Sequence, residues 1–274
     1  MGDGLTPAAR SWSAVAASVR GESHERGGVP CQDAWRWGIL ADGSLAAVVA
    51  DGAGSAALAQ VGAELAAAAA LAAVRGHAPT ALCDAEIEAV ATAAVAAARS
   101  RLEAEAAIRE VALTDLGTTL LFVLATPETV AVAHVGDGAA VVLAADGTLT
   151  LPLAPQIDEY LNETTFLVSA DALQRTRRAV WHGAVAQLAL FSDGLQMVAL
   201  KMPEGIPHAP FFTPLFRFAR EVAEAGMPAT AETPANPATT ELAEFLRSER
   251  LKQRSDDDRT LLLASLVPPH PRRR

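Results

Sequence analysis

Cysteine is almost missing from this chain. Cys31 and Cys83 are the only two in 274 residues, so no disulfide framework is implied and a reducing compartment, the cytoplasm, is expected. Positive charge is also short: 22 Lys and Arg face 32 Asp and Glu, a formal net charge of −10, which argues against general binding to nucleic acid or anionic membrane. Aromatic residues make up 5% of a chain that is 51% hydrophobic, and alanine fills much of the difference, so elements are expected to approach closely. No basic region followed by an apolar core opens the sequence, so no secretory signal is expected. The alanine-rich run at 56–74 is broken by Gln60 and Glu64 and closed by Arg75, which excludes it as a membrane span. The histidines lack ligand spacing, no glycine-rich loop with lysine offers a phosphate cradle, and no repeat or interdomain linker divides the chain. A single soluble domain over 1–267 with a disordered tail at 268–274 is the expectation.

What is present is a set of apolar runs that end on aspartate. The stretch AAVVADGAGS at 46–55 reads as a buried strand stopping at Asp51, two glycines, and then a helix. The runs 35–40 and 45–50 are joined by Ala41-Asp42-Gly43-Ser44, a hairpin signal. Asp33 stands before the first run and Asp51 after the second, so the hairpin alone makes them neighbours. Strands are also predicted at 12–19, 117–124, 129–135, 139–143, 186–191 and 261–267, with 117–149 read as an antiparallel meander. Two helices follow Ser55: Leu58, Val61 and Leu65 share a face of the first, and Ile87, Val90, Ala94, Ala98 and Leu102 line the second, capped by Thr80 or Asp84. Thr239 or Thr240 is expected to cap a last helix. Region 201–238, rich in proline and phenylalanine, reads as an irregular, flap-like insertion with a short amphipathic helix near 211–225.

Five acidic positions share one setting, at the end or start of an apolar strand beside a polar turn: Asp33, Asp51, Asp137, Asp193 and the cluster 256–258. Each alone is an ordinary turn residue. Gathered together they would repel one another and take up protons unless a cation sat among them, and hard oxygen ligands select magnesium or manganese over zinc.

In order, GESH at 21–24, PCQDA at 30–34, VVADGAGS at 48–55, LGTTLL at 116–121, VAHVGDG at 132–138, LALFSDGL at 188–195 and DDDRTLLLA at 256–264 resemble the metal-dependent protein phosphatases of type 2C, in their compact bacterial form. The resemblance implies an α+β fold, a four-layer α-β-β-α sandwich of two antiparallel sheets with helices outside. It implies hydrolysis of phosphoserine or phosphothreonine in proteins, substrates of a bacterial serine/threonine kinase, by a metal-activated water without a covalent intermediate. By the same resemblance Asp51 bridges two Mn2+ or Mg2+ ions, the Gly52 carbonyl binds one of them, and Asp193 and Asp257 complete the ligand set of the second ion. Asp137 helps to hold a third, weaker ion, and Asp33 orients the attacking water.

Three positions depart from that pattern. Gly28 stands where the family carries a phosphate-binding arginine, and His24 or Arg26 is the candidate replacement. Ala53 stands where eukaryotic members have a histidine, leaving protonation of the leaving group to water or His24. Gln32 replaces an acidic residue. A cysteine-dependent mechanism is excluded because neither Cys31 nor Cys83 has an arginine six positions on, and an aspartyl-phosphate route because position 144 is alanine. The rival to an enzyme is a non-catalytic relative that binds a phosphoprotein or regulates a kinase, against which stand the retained Asp51, Asp193 and Asp257.

Overall fold

The computed structural model describes residues 10–76, 84–154, 164–226 and 236–268. The expectations for Thr80, Cys83 and the tail beyond Pro268 lie outside them. In chain order the first half holds β1 (Ser11–Val19), α1 (Glu22–Gly27), β2 (Asp33–Ile39), β3 (Leu45–Asp51), α2 (Ala59–Val74), α3 (Asp84–Arg109), β4 (Leu120–Ala125), β5 (Thr129–Val135), β6 (Ala139–Ala144) and β7 (Leu149–Thr150). The second half holds α4 (Ala172–Arg175), β8 (Arg177–His182), β9 (Val185–Phe191), α5 (Gln196–Ala199), β10 (Leu200–Lys201), β11 (Ile206–Pro207), α6 (Ala209–Glu224), α7 (Pro237–Leu246), α8 (Glu249–Lys252) and β12 (Arg259–Val267).

Two five-stranded antiparallel sheets carry the molecule, one ordered β2-β3-β4-β5-β8 and the other β1-β12-β9-β6-β7. Their facing sides share a core that includes Trp12, Trp37, Leu121, Val123, Leu188 and Leu262. Helices α2 and α3 cover the outside of the first sheet, and α6 and α7 that of the second. The expected four layers are therefore present, and they explain the unbroken apolar runs: a strand buried on both faces has no polar side to alternate.

Local details differ from the sequence reading. The face that α2 buries is Ala59, Gly62, Ala63, Ala66, Ala67 and Ala70, with Leu71 and Val74 in its last turn, while Leu58, Val61 and Leu65 lie only partly buried beside it. Small side chains let α2 and α3 pack closely, and an alanine-rich helix carries little sequence signal of which side faces in. The meander stops after β5: the chain crosses at Gly136-Asp137-Gly138 into the other sheet, where β6 pairs with β9 and β7. Strand β8 at one edge, with only partly covered side chains, was not foreseen. The helix in the Phe-rich region lies within two residues of its expected bounds at each end, and it buries Phe212, Leu215 and Phe216 on β12 and β1. Helix α7 is capped by Asn236, whose Oδ1 accepts the Ala238 N–H at 2.9 Å with Pro237 in the first turn; Thr239 and Thr240 lie inside the helix.

Candidate active site

The hairpin β2–β3 pairs Asp33 directly with Asp51 at its open end. The backbone fixes both positions. The Gly52 N–H donates to the Gln32 carbonyl (3.1 Å), and the Asp51 carbonyl accepts from the Thr119 N–H (2.8 Å) and the Thr118 hydroxyl (2.9 Å). Asp137 sits in the crossing between sheets, where its Oδ2 accepts from the Thr164 hydroxyl at 2.8 Å and its carbonyl from the Gln196 amide. Asp193 begins a short 3-10 turn directly after β9, and Asp257 lies two residues before β12. Five strand ends from two sheets thus bring their carboxylates to one edge of the sandwich.

The 257–258 backbone reaches that edge between two glycines. A Cβ on Gly21 would lie 2.2 Å from the Asp257 carbonyl carbon, and one on Gly194 2.0 Å from the Asp258 oxygen, so no side chain fits at either. Asp258 then clamps the preceding loop: its Oδ1 accepts the Gly21 N–H at 2.7 Å and its Oδ2 the Gln32 N–H at 2.6 Å. Ser192 joins the sheets at the same place, donating to Asp33 Oδ2 at 2.8 Å and accepting the Thr260 N–H at 3.0 Å.

A pocket of about 240 Å³ opens here, lined by Asp51, Gly52, Asp137, Asp193 and Asp257, with His24 on its wall. Burial, then the charges of Asp33 and Asp193, pushes the Asp51 carboxyl well above the usual range. Burial raises Asp33 to about 7 against the opposing hydrogen bonds from Thr260 and Ser192, and Asp193 is raised to about 6 by burial and the charges of Asp137 and Asp257. Asp137 is raised too, by burial first. Asp33 Oδ1 and Asp193 Oδ1 are buried without a hydrogen-bond partner. Repelling carboxylates with orphaned oxygens, and no Lys or Arg among the described residues of the pocket wall, fit divalent cations of the magnesium and manganese type.

Every acidic residue proposed from sequence is at or beside this edge. Arg26 is not: its guanidinium is 73% exposed and pairs with Asp256 at 3.0 Å. Gly28 ends α1 in the left-handed conformation, φ 66°. Cys31 is half-buried, and burial with the charges of Asp33 and Asp258 raises its thiol far out of the reactive range. His134, one of the histidines without ligand spacing, is buried in β5, with burial lowering it to about 3. Sequence reasoning missed Thr164, Phe166, Ser192 and the clamping role of Asp258. Thr164 and Phe166 carried no signal, whereas a second aspartate beside Asp257 was visible without its partners. The described part of 201–238 lines no wall of the pocket.

Two face-packed sheets with an acidic, cation-fitting edge define a class of metal-dependent sandwich proteins. The sequence profile of protein phosphatase 2C matches residues 20–247. Serine/threonine-protein phosphatase 3 of Escherichia coli (strain K12) is 37% identical over 261 residues, covering 93% of this chain and 98% of that one. The chain belongs to the protein phosphatase 2C family. In fold it is similar to the serine/threonine phosphatase Stp1 from Staphylococcus aureus, with TM-score 0.64 and 14% identity over 97% of this chain and 99% of that one. It is also similar to the catalytic domain of the serine/threonine phosphatase PstP, whose structure holds two manganese ions, with TM-score 0.59 and 19% identity over 94% and 99%.

Proposed function

We propose that the chain hydrolyses phosphoserine and phosphothreonine in proteins, with Asp51, Gly52, Asp193 and Asp257 holding two Mn2+ or Mg2+ ions and Asp137 contributing to a third. One observation carries this reading: carboxylates from Asp51, Asp137, Asp193 and Asp257 line one pocket with Asp33 paired beside Asp51, and among the described residues of that wall there is no Lys or Arg. Membership of the family and the named relatives support it.

Divalent ions bound there would supply positive charge to acidify a water and to offset the phosphoryl oxygens. The chain supplies the rest. Asp33 is fixed through Oδ2 by Ser192, which leaves Oδ1 to orient the attacking water and take its proton. Among the described residues His24 is the one basic side chain on the pocket wall, and it takes over contact with the phosphate from the absent arginine. Arg26 is turned away from that task. The substrate is a phosphoprotein made by a serine/threonine kinase, and two unpaired-by-sequence cysteines favour a cytoplasmic setting.

The test is hydrolysis of para-nitrophenyl phosphate and of a phosphothreonine peptide with manganese. Turnover is expected, falling by about 100-fold or more in Asp193→Asn, because a ligand outweighs the roughly 10–100-fold effect of outer-shell partners. Metal binding without turnover of either substrate would favour the non-catalytic reading.

A further inference from the structure

The short helix α1 is held against the acidic edge more firmly than its length requires. The Ser23 N–H and hydroxyl both donate to the Asp256 carbonyl, at 2.9 and 2.8 Å, and both ends of the 21–32 loop are tied to the Asp258 carboxylate. This places His24 against residues 257 and 258. One ligand atom each from His24, Asp257 and Asp258 lies within 4.8 Å of the others.

The contact between His24 and Asp258 is unusual. Nδ1 stands 3.0 Å from Oδ2, yet it is a buried nitrogen without an aligned hydrogen bond. Two ligands at about 2.0–2.2 Å from one ion, at a right angle, are roughly 3 Å apart. Oδ2 accepts one N–H and keeps a second lone pair. Two carboxylates would match the charge of a divalent ion, and an imidazole would add a neutral donor.

We infer that His24 Nδ1, with Asp257 and Asp258, binds a divalent cation, so that the centre proposed above includes a nitrogen ligand on its Asp257 side. This rests on the metal-centre reading and changes its chemistry. The family resemblance puts an acidic residue at Gln32; here the carboxamide is buried with Oε1 unpartnered, and His24 supplies a ligand from the other end of the same loop. Nitrogen ligation favours manganese and later divalent metals over magnesium, which prefers an all-oxygen octahedron. With Nδ1 on the ion, Nε2 stays available for the phosphate.

Pulsed electron paramagnetic resonance on the full chain loaded with Mn2+ tests this without reading activity. Nitrogen modulation from a coordinated imidazole is expected, and it should vanish in His24→Ala while the melting transition remains cooperative. The same variant should lose about tenfold in affinity for its weaker Mn2+ and less than about threefold for Mg2+. Should His24→Ala fail to fold, His24→Asn gives the same spectroscopic readout. Absent nitrogen coupling in the wild type, or coupling that survives loss of His24, would overturn the inference. If Mn2+ still binds in that case, and binds more weakly to Asp193→Asn, the proposed function stands. A chain that retains no Mn2+ at all would remove both.

Discussion

Arg26 and His24 lie two residues apart on one short helix, and their surroundings assign them opposite roles. His24 is 16% exposed and faces a buried carboxylate; Arg26 is 73% exposed and faces Asp256, itself 66% exposed. An exposed pair of that kind is worth at most about 1 kcal/mol. Arg26→Ala is therefore expected to leave the thermal midpoint within about 4 °C of wild type and the turnover of a phosphothreonine peptide within about threefold. A tenfold rise in KM for the peptide would restore Arg26 as a phosphate contact. Charge alone does not locate a binding residue; what matters is whether another group already holds it.

Helices and loops divide the work between stability and site geometry. Phe212 is fully buried on the outer side of the second sheet, its ring 5.7 Å from Phe216 and 6.0 Å from Phe191. Phe212→Ala should cost about 3–5 kcal/mol of stability and leave Mn2+ affinity nearly unchanged where the protein remains folded. Gly194→Ala should do the reverse. Its new Cβ meets the Asp258 oxygen at 2.0 Å, so the 257–258 loop must move and Mn2+ binding should weaken by about tenfold or more. Isothermal titration and denaturant melts on the two variants separate the effects, and equal losses of both quantities in each would refute the division. The same contrast shows what was legible beforehand. Asp33 and Asp51 could be paired because a hairpin signal fixes register locally. The crossing at Asp137 could not, since Gly-Asp-Gly ends a strand in the same way whether the next strand pairs alongside or joins the facing sheet. Edge strand β8, half covered and carrying Arg177 and Arg178, lacks the apolar run that marked its neighbours. Thr164 reaches Asp137 from 27 residues away, a contact made by tertiary folding alone.

For the molecule as a whole, the acidic edge is a liability to folding until a cation reaches it. Asp33, raised to about 7, and Asp193, raised to about 6, bind protons more tightly in the folded chain than in the unfolded one, where both sit near 3.8. Stability therefore falls as pH rises through that window, since the folded state binds the greater number of protons. His134 has the opposite sign. Folding lowers it from 6.5 to about 3, so the unfolded chain takes up the extra proton and stability is lost as pH falls below 6.5. At pH 8 His134 is neutral in both states, and at pH 6.5 only half of the unfolded chain has taken up its proton, a loss of about 0.4 kcal/mol, so the carboxylates still decide the slope. The metal-free protein should then melt about 1–2 °C higher at pH 6.5 than at pH 8, each 1 kcal/mol moving the midpoint by about 2–4 °C at this size. Asp33→Asn should flatten the slope. Saturating Mn2+ should invert it, because ligation replaces protons at the same oxygens and stabilises more at pH 8 than at pH 6.5. A metal-free midpoint that rises with pH over this range, or that Mn2+ shifts equally at both ends, would show that the buried carboxylates are not under mutual repulsion, and the physical ground for placing cations among them would be gone.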